Sequence, residues 1–142
     1  MEMVNLFTTC QEYSLLLRVR DYECDVQGAV SDAMYLNYLE HARQEYLNQI
    51  GLNSKILLER GIYLLAYRIE MDLLRILRWG DLFKVSTYLR KISDEKYLFE
   101  QNIYRLKELI VEANIFTLSI DQEGKPARLS PEGLRTPRLI DA

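Results

Sequence analysis

Histidine is nearly missing from this chain: its 142 residues include one, His41, and only two cysteines, Cys10 and Cys24. One imidazole and two thiols form no zinc-ligand cluster and no disulfide framework, and they argue against a His-based catalytic site. No apolar run approaches the roughly 20 residues needed to cross a membrane. The opening MEMVNLFTTC lacks the basic start and apolar stretch of a signal peptide, so a cytoplasmic location is expected. Proline (3) and glycine (6) are few. No repeat, low-complexity tract or linker divides the chain, so residues 1–142 are expected to form one domain. Positive charge is not in excess either: 18 Lys and Arg face 21 Asp and Glu, a net charge of −3. That balance lacks the basic footprint of a nucleic-acid-binding protein. What is present, 49% hydrophobic and 27% charged residues, is the composition of an ordinary globular core.

Periodicity assigns the elements. In YSLLLRVR (Tyr13–Arg20), Leu15, Leu17 and Val19 share one face and Ser14, Arg18 and Arg20 the other, which predicts a strand. From Asp32 to Ile50 the period lengthens to that of a helix. Tyr35, Tyr38, Leu39, Ala42, Tyr46 and Ile50 form its apolar stripe, bordered by Leu36 and Leu47. Ser31 or Asp32 can cap its start, and Gly51 falls at the C-terminal cap. Alternation returns after Gly61, with Tyr67, Ile69, Met71 and Leu73 on one face. After the WGD turn, Phe83, Val85, Thr87 and Leu89 repeat the pattern, and a further strand is expected from Lys96 to Arg105.

The last strand, Leu109–Ile120, switches phase, and a bulge near Ile115–Phe116 would account for it. Propensity alone also allows a helix over Tyr97–Asn114, but the flanking turns are spaced for hairpins. Ser130–Ala142 reads as a tail. One strand, one long apolar helix and four antiparallel strands make an α+β domain whose sheet wraps a central helix, the hotdog arrangement.

The segment RVRDYECDVQGAVSDAMYLNYLEHARQEYL resembles the signature of the 4-hydroxybenzoyl-CoA thioesterase family, and within it the Tol-Pal-associated acyl-CoA thioesterases. The residues carrying the resemblance are Tyr22, Asp25, Gly28, Ala29, Val30, Tyr35, Glu40 and Arg43. RILRWGDLFKVSTYLRKI is similar more weakly, without the Pro-Ala that family members carry there. Ser31–Asp32 also stands where His or Tyr is common. The resemblance implies hydrolysis of an acyl-CoA or acyl-carrier-protein thioester, with Asp25 as nucleophile or general base. It also implies that the backbone amide of Asp32, seven residues on, stabilises the oxyanion.

Chemistry is consistent with those roles. A carboxylate can attack a thioester carbonyl or activate water, and the free amides of a helix N-terminus can receive the developing negative charge. The bland reading of Asp25 is an Asx-turn, and that of Gly28 a residue needing positive φ. Tyr35, on the first helical turn, is the aromatic expected nearest the carbonyl, with Gly28 and Val30 against the substrate. Arg90, Lys91, Lys96, Lys125 and Arg128 are the expected phosphate-binding cations, and Tyr63, Met71, Tyr97 and Phe99 candidate acyl-lining residues. His41 is expected in solvent or at a subunit contact, and Glu40 and Arg43 in structural pairing at a subunit or sheet contact. Cys24 has no His partner and is not expected to act as a nucleophile.

No metal or separate cofactor is expected, with coenzyme A entering as part of the substrate. The family analogy implies a homodimer with two sites at its interface, and a homotetramer of two such dimers. A hotdog dehydratase or hydratase and a non-catalytic acyl-thioester-binding protein are the competing readings.

Overall fold

The computed structural model describes residues 12–129. Strand β1 (Tyr13–Arg18) is followed by a 3-10 turn (Asp21–Glu23), helix α1 (Asp32–Gln49) and a short helix α2 (Ser54–Glu59). Strands β2 (Tyr63–Leu73), β3 (Leu82–Lys91), β4 (Lys96–Arg105) and β5 (Glu108–Ile120) complete it. The strands form one antiparallel sheet in the order β1-β3-β4-β5-β2. The expected hotdog topology is therefore present, and Tyr97–Asn114 is a β-hairpin rather than a helix.

The apolar stripe of α1 explains its seat. Tyr35, Tyr38, Leu39, Ala42, Tyr46 and Ile50 are all buried, and the helix packs across β1 and β3. Tyr38 lies 4.6 Å from the ring of Phe83, and Tyr46 meets Phe99 edge-on at 6.4 Å. Gly51 closes the helix at φ 85°, as the sequence implies. Neither expected N-cap forms: Ser31 occupies the cap position, but its side chain accepts no bond from the helix.

Helix α2 was not legible from apolar period alone, since six residues make fewer than two turns. Its visible signal is Asn53, whose Oδ1 accepts the amide of Ile56 at 2.9 Å.

The expected bulge near Ile115–Phe116 lies instead in the neighbouring strand. β5 keeps its phase, burying Val111, Ala113, Ile115, Thr117 and Ser119, while β2 carries the extra residue between Ala66 and Arg68. Beyond it Ile69, Met71 and Leu73 pair with Ile115, Ala113 and Val111 and so share their helix-facing side. Yet Ile69 is 46% and Leu73 42% exposed, because α1 does not reach across to this edge.

Candidate functional site

Residues 20–31 form a folded-back loop. The Glu23 carboxylate accepts the Arg20 amide at 2.9 Å and the Tyr38 hydroxyl at 2.8 Å through the same oxygen, tying the loop's entrance to α1. Burial, and then the bond to Glu23, push the Tyr38 hydroxyl well above the usual phenol range, so it stays protonated and donates. Cys24 pairs with Val30, and the Asp25 amide reaches Ala29 O at 2.8 Å. The turn is closed by Gly28 at φ 79°, whose amide donates to Asp25 O at 3.0 Å. Asp25 is exposed. Its Oδ1 accepts the amides of Gln27 at 2.8 Å and Ala29 at 3.1 Å. This is the Asx-type turn of the bland reading, but it uses one carboxylate oxygen and leaves Oδ2 with no protein donor among the described residues.

The loop leads directly into α1. The first amide of this turn to find a backbone acceptor is that of Met34, bonded to Ser31 O at 3.0 Å. The amides of Asp32 and Ala33 meet no acceptor among the described residues, so two donors and the positive end of the helix dipole remain open beside the Asp25 loop. Behind the loop, Val30 N donates to Leu77 O and Trp79 N to Gly28 O, both at 3.0 Å. Tyr35 is buried, and its hydroxyl accepts the Leu77 amide at 3.0 Å. In this structure it anchors the segment that backs the loop. Tyr22, Val26 and Trp79 stand exposed around Asp25.

A second feature lies at the other end of α1. A cavity of about 450 Å³ opens between α1, α2 and the start of β2. Leu47, Leu52, Leu57, Ile62 and Phe99 give it an apolar floor, and Tyr63 lies on its wall, as expected for an acyl-lining residue. Arg43 is the one cation among the residues that line it. Rather than pairing with Glu40, Arg43 donates from Nη1 to Gln101 Oε1 at 2.9 Å. Gln101 is fully buried and passes the contact on, donating from Nε2 to Leu39 O and Thr87 Oγ1, each at 3.0 Å. Burial lowers the affinity of Arg43 for its proton, although a guanidinium remains charged at any ordinary pH.

Known proteins bear on this arrangement. The sequence profile of the Thioesterase-like superfamily matches residues 19–136. The chain belongs to that superfamily. It is 35% identical over 122 residues to the acyl-acyl carrier protein thioesterase ATL3, chloroplastic, of Arabidopsis thaliana, covering 84% of this chain and 64% of that one. It thus spans a little under two thirds of that plant relative. It is also 27% identical over 110 residues to the acyl-CoA thioesterase YbgC of Haemophilus influenzae, covering 77% and 81%. Among solved structures, the probable thioesterase of Bartonella henselae superposes with a TM-score of 0.78 at 26% identity, covering 84% of this chain and all of that one. The family resemblance drawn from Tyr22 to Arg43 and the hotdog fold both hold.

In this superfamily member the cations expected to bind phosphate lie away from Asp25. Arg90 pairs with Glu100 at 2.8 Å, Lys91 with Asp94 at 3.3 Å, and Arg128 also binds Asp94. Lys96 sits 5.9 Å from the Tyr67 ring centroid, and Lys125 pairs with Glu123 at 3.8 Å. All lie around the β3–β4 turn and the end of β5, whereas the Asp25 loop adjoins the beginning of β3 through Val19 N to Asp81 O at 2.9 Å. A ten-residue strand separates the two ends, roughly 30 Å at the usual strand rise. Within one chain they do not meet.

His41 is exposed on α1. No group of three or more His, Cys, Asp or Glu among the described residues is arranged to hold a metal ion, and no described helix is long and apolar enough to cross a membrane.

Proposed function

We propose that this chain hydrolyses an acyl thioester carried on coenzyme A or on an acyl carrier protein. The observation that carries the reading is the Asp25 carboxylate, fixed through Oδ1 and open at Oδ2, beside two unpaired amides at the start of α1. In the general-base route Oδ2 takes a proton from water as its oxygen attacks the carbonyl carbon. The resulting oxyanion is held by the Asp32 amide, and collapse expels the thiolate, which is protonated as it leaves. In the nucleophilic route Oδ2 itself attacks the carbonyl carbon, the C–S bond breaks and the thiolate leaves, and water then hydrolyses the resulting mixed anhydride to the acid and free Asp25. Gly28 and Val30 present backbone to the substrate, and Tyr35 acts through Leu77 by holding the loop's backing segment. The superfamily and the named activities of its relatives support this chemistry.

The working unit in this reading is a homodimer, with the tetramer a further step of assembly. β2 is an open sheet edge whose helix-facing Ile69 and Leu73 are exposed, a feature that needs covering. Two β2 strands pairing antiparallel about a twofold axis bring the Leu73 end of one beside the Tyr63 end of the other. The Asp25 loop of one copy then faces the cavity of its neighbour, on the same side as that neighbour's Lys91, Lys96 and Arg128. Arg90 lies at that end too, so thiol carrier and acyl group both find partners. Cys24 is a free thiol, which suits the reducing cytoplasm.

Asp25→Asn tests the reading, because asparagine can keep the turn's acceptor while removing the base. Thiol release from a panel of acyl-CoAs and acyl carrier proteins should fall about a hundredfold or more, with thermal stability unchanged. Undiminished turnover in the variant would remove Asp25 from the chemistry. A second reading, a binding protein without turnover, is favoured by the exposure of Asp25 and its Asx-turn. It predicts thioester binding with no hydrolysis in either protein.

A further inference from the structure

Arg43 is over-equipped for the contact it makes. A guanidinium offers five N–H donors, and the one acceptor it reaches in the described chain is Gln101 Oε1. No carboxylate forms an ion pair with it among the described residues; Glu40, one turn back, shares the cavity rim and favours the guanidinium's charge only from a distance. The Gln101 acceptor is itself locked by the bonds to Leu39 and Thr87, so the guanidinium cannot swing away without breaking a buried network. The same side chain lines a cavity whose floor is apolar. Had the cavity to hold only a hydrocarbon, the bond to Gln101 would still anchor the guanidinium, but its remaining donors would lie on the wall with no partner.

We propose that Arg43 reads a second oxygen function, a hydroxyl or carboxylate, on the acyl chain that enters this cavity. The inference rests on the thioesterase reading for the identity of the ligand and extends it to substrate class. The thioester carbonyl stays outside, with Asp25 and the α1 N-terminus of the neighbouring copy, while the chain lies on Leu47, Leu52, Leu57 and Phe99. The remaining Arg43 donors meet the chain's oxygen. At about 30 Å³ for a group the size of water or methylene, the cavity's 450 Å³ has room for a chain of about ten to fifteen carbons. A plain chain would leave the guanidinium unpaired, so discrimination comes from that loss as much as from the bond gained.

The test is a binding measurement that needs no turnover and no particular carrier. S-decylpantetheine, a non-hydrolysable thioether, is compared by calorimetry with analogues carrying a hydroxyl at carbon 6, 8 or 10 or a terminal carboxylate. At least one oxygenated probe should bind the wild type about tenfold to a hundredfold more tightly than the plain chain, the factor one bond to a charged group supplies. Arg43→Met should abolish that ratio, and Arg43→Lys should reduce it while keeping the charge. The ratio is internal to each protein, so a general loss of affinity does not mimic the effect. If Arg43→Met does not fold, the drop in ratio with Arg43→Lys decides. Equal binding of every probe, or a preference that survives loss of the guanidinium, would overturn the proposal. Asp25→Asn should retain the preference, which separates failure here from failure of the hydrolytic reading.

Discussion

Two aspartates at opposite ends of β3 divide the molecule into an open and a closed region. Asp94, in the β3–β4 turn, is gripped by Arg128 and Lys91, and hydrogen bonding from those cations, Arg128 first, holds its carboxyl below the usual carboxylate range. Asp25, in the loop before α1, receives two backbone amides on one oxygen and no cation. A carboxylate surrounded by fixed positive charge is a weak base and has little reason to react. One that is oriented by its own loop and left open on the other oxygen can still take a proton. Asp94→Asn should therefore leave thiol release unchanged and alter the melting temperature little, as exposed ion pairs do, whereas Asp25→Asn should cost about a hundredfold or more in turnover with no change in melting. A reversed pattern in the paired assay would dissolve the distinction.

The closed region has its own polar centre, and breaking it should be the largest stability effect. Gln101 spends both amide functions, on Arg43, Leu39 and Thr87. Gln101→Leu preserves volume but strands a partly buried guanidinium, a helix carbonyl and a buried hydroxyl. We expect a loss of about 3 kcal/mol, read from denaturant melts. A loss below about 1 kcal/mol would mean that water replaces the amide.

The same contrast explains what the sequence made legible. The stripe Tyr35 to Ile50 and the alternation of β3 and β4 were readable because each is a one-sided burial pattern, and such patterns are local. The Asp25 loop drew attention because it resembles a known one. The bulge was placed in the wrong strand because Phe116, Leu118 and Ile120 are apolar on the outer face of β5 while Thr117 and Ser119 are buried, and that order mimics a change of phase the strand does not make there. The β2 insertion at Tyr67 becomes visible only with the pairing of Arg68 and Phe116. Gln101 did leave a trace: it is the polar residue on the inward phase Tyr97, Phe99, Ile103. Its partner Arg43 could not be named, since their contact joins helix to sheet across 58 residues. The separation of Lys91 and Arg128 from Asp25 is likewise a property of the sheet's length.

A smaller effect follows from the buried tyrosines. Burial, followed by the charges of Asp94 and Glu95, pushes the Tyr97 hydroxyl up to about 12. Burial likewise raises Tyr13 and Tyr35, against the backbone bond from Leu77 in the second case. An unfolded tyrosine ionises near pH 10. The folded form therefore binds protons that the unfolded form has released, and stability complete below pH 10 should decline as pH rises from about 10 to 12. Tyr97→Phe should flatten that decline in melts taken across the interval. An unchanged slope would assign the alkaline loss to other groups.

The finest test concerns a flaw inside the closed region. Ser119 is fully buried on the helix-facing side of β5, and its Oγ has no partner among the described residues. Its backbone is satisfied, with the amide on Glu95 O and the carbonyl accepting from Ala127, both at 2.8 Å, so the hydroxyl is the sole open polar group there. A buried hydroxyl that lost its water bonds and gained none costs about 1 kcal/mol or more. Ser119→Ala removes that cost at the price of a void smaller than a methyl group, too small to cancel it. The variant should melt a few degrees higher, by the scaling for a domain of this size. A lower melting temperature would show that an ordered water completes the site. Ser119 would then belong with Gln101 among the satisfied groups, and the division between the open Asp25 end and a closed structural end would be sharper.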